Sequence, residues 1–363
     1  MLVLQLLACQ PARISASDTY RVAADTFKDS GDTAHEPPAD CAATAWTSGT
    51  YTLDHGGVER QFQVYVPSSY DPTIPAPMVL AFHGWGGDGG EFLDDPTVTG
   101  EADARGYVLV APDGLGPEER GHPAASWSFR GSTTGLDGDG LNANVVGDST
   151  DICDDALTTD YGYPSCDGLA QNGCSWTQCE DDDVDFVVAL VTEASQNLCI
   201  DAGRVYAVGG SNGGMFTWEL GQNEVSAGTF RALAPIIGLP HRGYLAPPAQ
   251  AGGIPVLLIT GTRDQTVPPG EWEDAGFTTT SDGDTYYYTG ATAITRVWAE
   301  SAGCSTAADA TPVEVGVPDL DCRSYCRGDA PLPPVLDCRA VMGHTYDFSW
   351  SWPFVLDFFD QNR

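Results

Sequence analysis

The sequence has almost no lysine. Lys28 is the only one among 363 residues, and 16 lysines and arginines face 51 aspartates and glutamates, a formal net charge of −35. A surface of that sign repels phosphate backbones and anionic headgroups, so nucleic acid is excluded as a partner and a charged bilayer face is disfavoured. Long hydrophobic runs are missing as well, and nothing approaches the roughly 18 consecutive apolar residues of a membrane span. No G-K-[ST] follows a glycine-rich stretch, which argues against a phosphate-cradling loop of that type. The cysteines do not form the paired C-x-x-C set of a structural zinc site. What remains is a chain with an ordinary share of hydrophobic residues, 42%, long enough to form one large α/β domain or two small ones.

Cysteine, by contrast, is plentiful. Eleven of them are more than a reducing cytosol normally accommodates, and they point to disulfides formed in an oxidising, extracytoplasmic compartment. The N-terminus agrees: Met1-Leu2-Val3-Leu4-Gln5-Leu6-Leu7-Ala8 is an apolar h-region-like stretch, and Leu6-Leu7-Ala8-Cys9 resembles a bacterial lipoprotein signal. On that reading residues 1–9 are a signal or lipoprotein-like segment, and a lipidated Cys9 tethers an extracellular or cell-envelope protein. No lysine or arginine precedes the run, and a frayed strand with an unmodified Cys9 is the other reading. Residues 10–40 are polar and acidic, include Pro37-Pro38, and read as a disordered linker. Residues 41–363 then form the folded domain.

Within that domain one stretch carries chemistry in its spacing. Gly209-Gly210-Ser211-Asn212-Gly213-Gly214 lies between the apolar run Val205–Val208 and the helix-favouring Met215–Leu220, which places a G-x-S-x-G signature on a strand-to-helix turn. Such a turn strains the serine backbone, projects its hydroxyl above the sheet, and sets the Asn212 N–H at the positive end of a helix, where it can bind a developing oxyanion. Met78–Phe82 reads as a strand buried on both faces. It ends in His83-Gly84-Trp85-Gly86-Gly87, a loop able to approach substrate closely, and the Trp85 N–H is the expected second oxyanion donor. His83 reads as a brace for that loop rather than as a base. Further strands are expected over Gly106–Pro112, Phe230–Ile237, Ile254–Gly261 and Val335–Val341. Asp264 follows a strand end in Thr262-Arg263-Asp264, and His344 is the only histidine downstream of it. The order Ser211, Asp264, His344 is that of the α/β-hydrolases and not of the chymotrypsin or subtilisin folds.

Between these motifs, residues 117–180 shift to Gly, Asp, Ser, Asn and Cys with little periodicity and read as a lid-like insertion stapled by Cys153, Cys166, Cys174 and Cys179. Asp137, Asp139, Asn142, Asn144 and Asp148 place oxygen ligands at loop spacing, but the EF-hand pattern fails at Leu141, so a solvated loop is preferred to a calcium site. Trp127 and Trp176 are candidates for lining the substrate cleft, with a local core as the alternative. Asp181-Asp182-Asp183 opens a helix, where carboxylates match the positive end of its dipole.

Taken together, His83-Gly84-Trp85, Ser126-Trp127, Asp182-Asp183-Val184-Asp185-Phe186, Gly209–Met215, Gly261-Thr262-Arg263-Asp264 with Val267-Pro268, and Gly343-His344-Thr345 resemble the secreted polyhydroxybutyrate depolymerase and feruloyl esterase group of carbohydrate esterase family one, over Ala45–Phe359. The resemblance implies an α/β-hydrolase fold, a mostly parallel central sheet with helices on both faces. It implies Ser211 as nucleophile, His344 as base and then acid, and Asp264 as its orienting carboxylate, with no metal and no cofactor. The enlarged insertion favours soluble or plant-derived aromatic and short-chain esters as substrate over a crystalline polyester. A polyester depolymerase, a serine peptidase of the same fold and a non-catalytic anchored binding protein remain as alternatives.

Overall fold

The computed structural model describes residues 41, 46–116, 125–134, 145–146, 152–153, 177, 183–273, 276–280, 286–327 and 332–363, all within the unit Pro37–Arg363. Cys9, the 10–40 segment, the Asp137–Asp148 ligands and Trp176 lie outside the described residues. In chain order the strands are β1 (Gly49–His55), β2 (Val58–Tyr65), β3 (Ala76–Phe82), β4 (Val108–Pro112), β5 (Thr133–Thr134), β6 (Val145–Val146), β7 (Ile200–Gly210), β8 (Ala232–Ile236), β9 (Val256–Gly261), β10 (Phe277–Thr279), β11 (Tyr287–Thr289), β12 (Thr311–Val313), β13 (Leu320–Ser324) and β14 (Val335–Ala340). The helices are α1 (Gly90–Leu93), α2 (Pro96–Arg105), α3 (Asp183–Asn197), α4 (Asn212–Gln222), α5 (Ala291–Ser301) and α6 (Phe348–Gln361).

Among the described residues a ten-stranded sheet runs β1-β2-β4-β3-β7-β8-β9-β14-β13-β12. Its six central strands, β4 to β14 in that order, are parallel, and antiparallel strands extend it at both edges. The parallel strands read as unbroken apolar runs because both faces are covered. Met78, Leu80 and Phe82 of β3 pack toward α3, α4 and α5, while Val79 and Ala81 face α2 and α6. This is the expected doubly covered α/β sheet. The turn between β1 and β2 also follows the sequence: His55 pairs with Val58 across Gly56 and Gly57, at φ 62° and 84°, values that suit glycine in a two-residue hairpin. Helix α6 begins at Phe348, where Asp347 caps it by accepting from Ser349 N. Among the described residues no helix is long and apolar enough to cross a membrane.

Three disulfides join described cysteines: Cys41–Cys199, Cys304–Cys326 and Cys322–Cys338, the last across directly paired residues of β13 and β14. Cys153 is disulfide-bonded as well.

The start of the 117–180 insertion corrects the sequence reading. Residues 125–132 belong to the core, not to a lid. Trp127 has no exposed surface; its ring stacks on Phe216 at 5.3 Å and meets Phe82 edge-on at 5.2 Å, so its side chain does not line a cleft. Asp183 stands in the first turn of α3, as the sequence suggests, but its carboxylate also has specific partners. Both its oxygens are engaged, Oδ1 by Arg60 Nη2 and Oδ2 by Ser128 N, each at 2.7 Å, and the Arg60–Asp183 side chains are 1% and 2% exposed. Sequence periodicity could not show this, since the partners are far apart in the chain. A buried ion pair that loses one member leaves the other charge uncompensated, so Asp183→Ala should destabilise the fold by about 3–5 kcal/mol, read from the urea midpoint.

His241 fastens the same segment from the other side. Its ring lies between Phe129 at 5.5 Å and Tyr288 at 5.1 Å, both nearly parallel to it, and complete burial pushes its pKa down to about 4. The folded state therefore binds fewer protons than the unfolded chain between pH 4 and about 6.5, and the stability that His241 contributes is present above that window and lost as pH falls through it. The loss amounts to about 3 kcal/mol at most, at about 1.4 kcal/mol per pKa unit. In His241→Phe the urea midpoint should fall less steeply than in the native sequence between pH 6.5 and 4.

Candidate active site

The end of β7 turns sharply into α4 at Ser211, whose backbone sits at φ 51° and ψ −117°, outside the regions open to ordinary residues. The turn closes only because flanking glycines let backbones touch. A Cβ on Gly213 would strike the carbonyls of Phe82 and His83, and one on Gly209 would strike the carbonyl of Gly213. Ser211 N donates to Ile236 O on β8 and Met215 N to Ser211 O, both at 2.9 Å, which anchors the strained residue to the sheet and to the helix it starts.

Asp264 stands just past β9, in a turn closed by its own N–H on Gly261 O at 3.1 Å. Its side chain is fully buried: Oδ1 accepts from Thr266 N and Val267 N at 2.9 Å each, and Oδ2 from His344 Nδ1 at 2.7 Å. Since an ionised carboxylate only accepts, the imidazole proton is assigned to Nδ1. The lone pair on Nε2 then faces Ser211 Oγ at 2.8 Å. His344 is carried by the loop after β14, whose Met342 O accepts from Arg263 N at 3.0 Å, so the loops carrying Asp264 and His344 brace each other. The three sequence-predicted residues are thus hydrogen-bonded in one line. An arrangement of this kind can take the hydroxyl proton as the serine oxygen attacks a carbonyl.

The two expected oxyanion donors come from the residue after the serine and from the turn after β3. Asn212 opens α4, and its buried amide is locked onto the backbone of Trp127, Oδ1 accepting from Trp127 N at 2.7 Å and Nδ2 donating to Trp127 O at 3.0 Å. Trp127 therefore serves the site by holding Asn212. Its indole Nε1 donates to His83 O at 3.1 Å. Trp85 lies in the turn after β3, closed by Gly87 N on Gly84 O at 3.0 Å. His83 is buried, with Nδ1 donating to Gly84 O at 2.7 Å and Nε2 accepting from Gly114 N at 2.8 Å. Burial lowers its pKa, which keeps it neutral and suited to bracing. The Gly84 carbonyl thus receives two donors, and this fixes the plane of the peptide whose other end is the Trp85 N–H. Gly84, Gly86 and Gly89 stand in G-x-G-x-x-G spacing, yet the helix that follows has only four residues, too few to supply a phosphate-binding dipole.

Glu91, Glu219 and Tyr346 escaped sequence reasoning. Glu219 on α4 is buried and accepts from Arg130 Nε at 2.9 and 3.0 Å, which pins the 125–132 segment over α4. Acidic residues are so common in this chain that no local signal marks the two glutamates, and none marks Tyr346. Among the described residues no three His, Cys, Asp or Glu side chains converge as metal ligands.

No protein-family model matches the chain. It is 28% identical over 185 residues, 48% of its length and 61% of the relative's, to feruloyl esterase C of Emericella nidulans. The chain thus spans about three-fifths of that curated relative. A solved acetyl xylan esterase from Aspergillus awamori superposes with a TM-score of 0.51 over 86% of this chain and 99% of the other, at 14% identity, and so shares the fold. Ten-stranded sheet, serine turn and this superposition agree, and the chain has the α/β-hydrolase fold.

Proposed function

We propose that this protein is a secreted serine carboxylic-ester hydrolase, feruloyl-esterase-like, acting on plant-derived or other aromatic and short-chain esters. The observation that carries the reading is the relay from buried Asp264 through His344 to Ser211, with contacts of 2.7 and 2.8 Å. The name of the Emericella relative supports the acyl class, and the disulfides support an oxidising compartment.

In this mechanism Ser211 Oγ attacks the ester carbonyl while His344 Nε2 takes its proton. The carbonyl oxygen becomes an oxyanion and is bound by the N–H groups of Asn212 and Trp85, both held in place before reaction. Collapse expels the alcohol, which receives the proton from Nε2, and leaves Ser211 acylated. Water then attacks along the same route, with His344 again as base, and releases the acid. Asp264 holds the tautomer and stabilises the imidazolium formed in each half. The cycle needs no cofactor.

Ser211→Ala or His344→Ala should lower kcat on p-nitrophenyl acetate by on the order of 10⁴–10⁶ with the fold intact. Full turnover by Ser211→Ala would remove the assignment. A panel of methyl ferulate, acetylated xylan and hydroxybutyrate oligomers should show the highest kcat/KM on methyl ferulate. Preference for the oligomers would change the substrate while leaving the nucleophile in place.

A further inference from the structure

The mechanism above leaves Glu91 and Tyr346 without a task, yet both reach its centre. Both Glu91 oxygens lie within hydrogen-bond range of Gly84 N, at 3.1 and 3.2 Å. Tyr346, two residues past His344, gives its hydroxyl to the same carboxylate. Its ring stacks on Phe92, the neighbour of Glu91 on α1, at 6.2 Å. A Cβ built on Gly84 would lie 2.8 Å from the Tyr346 hydroxyl, 3.5 Å from Ser211 Cβ and 3.7 Å from Glu91 Oε1. Phenol, carboxylate and nucleophile therefore converge on one peptide. A Cβ on Gly87 would strike Glu91 Oε2, so the carboxyl group fills the bend of the Gly84–Gly87 turn.

The direction of each bond decides what the group does. The Gly84 N–H points to Glu91, and the Gly84 carbonyl points to His83 Nδ1 and Gly87 N. With both sides of Gly84 fastened, the next N–H, that of Trp85, has one orientation. Through Tyr346 the same carboxylate also holds the loop that carries His344. Burial raises the Glu91 pKa, and the bonds from the Gly84 N–H and the Tyr346 hydroxyl oppose that rise.

We propose that Glu91 is a positioning residue that locks the oxyanion turn to the base loop, so that the Trp85 N–H and His344 Nε2 face Ser211 together. This rests on the reading of Ser211 as the nucleophile. Its consequence falls on the transition state, because a loosened turn still admits substrate but no longer presents a fixed donor to the oxyanion.

The test uses the full chain with Glu91→Gln, Tyr346→Phe, the double variant and Ser211→Ala, assayed on p-nitrophenyl acetate and titrated with phenylboronic acid, which forms a tetrahedral adduct on a reactive serine. Glu91→Gln should lower kcat about 10- to 100-fold, leave KM within about twofold, and weaken phenylboronic acid by the same factor as kcat. Tyr346→Phe, which keeps the ring, should lower both about three- to tenfold, and the double variant should match Glu91→Gln within about twofold because the two groups act as one unit. An unchanged kcat in Glu91→Gln, a fall in kcat without loss of boronate affinity, or multiplied effects in the double variant would each overturn the role. If Glu91→Gln fails to fold, Tyr346→Phe decides alone by the same two readouts, and unchanged values reject the coupling. Turnover by Ser211→Ala would instead reject the esterase reading.

Discussion

The backbone of Ser211 is the constraint on which the rest of the structure depends. A non-glycine residue at φ 51° and ψ −117° costs about 1–3 kcal/mol and persists only where its surroundings over-determine it. Here β3, β7 and β8 end together without side chains between them. A Cβ on Gly238 would strike the Ser211 carbonyl, just as one on Gly213 would strike the end of β3. Ile237, β-branched and at φ 44°, carries a second unfavourable conformation next to Ile236, the acceptor of Ser211 N, and is held by its own N–H on Ile259 O at 2.7 Å. The strain is thus shared between two adjacent strand ends, each tied to the next strand.

Around this point buried polar groups fix what apolar packing alone would leave free. The Asn212 amide clasps Trp127, Glu219 holds Arg130, and Asp183 holds both Arg60 and Ser128. These three clamps secure residues 125–132 against α4, α3 and β2. In a chain so poor in cations it matters where the arginines lie. Arg60 and Arg130 are used in these clamps, and Arg339 pairs with buried Asp337 beneath the ring of Trp272, 3.6 Å from its centroid. These three arginines neutralise carboxylates inside the molecule, where an uncompensated one would cost most.

Much of the fold could be read from the chain because its signals are local. Strands covered on both faces appear as continuous apolar runs, a two-residue hairpin needs Gly56-Gly57, and a serine turn needs its glycines. The roles that escaped belong to residues whose meaning lies in a distant partner. Trp127 in Ser126-Trp127-Ser128 looks the same whether it faces a cleft or supports Asn212, and Asp183 looks like any acidic helix start until Arg60 is seen beside it. Glu91 sits in the run Asp88–Asp95, where nothing in the spacing separates the carboxylate bound to Gly84 N from its solvated neighbours.

By itself, then, the sequence determined the order of chemistry-bearing residues, Ser211, Asp264 and His344, and the alternation of apolar runs with helices that makes a doubly covered parallel sheet. Those are properties of short stretches, set by backbone sterics and periodicity. Only the tertiary structure decided which groups surround the serine: that Asp264 is buried on two amides and the imidazole, that Trp127 works from the core, and that Glu91 and Tyr346 join two loops more than two hundred residues apart. The physical reason is that a buried polar group takes its role from the partner that satisfies it, and that partner is chosen by the fold rather than by neighbours in the chain.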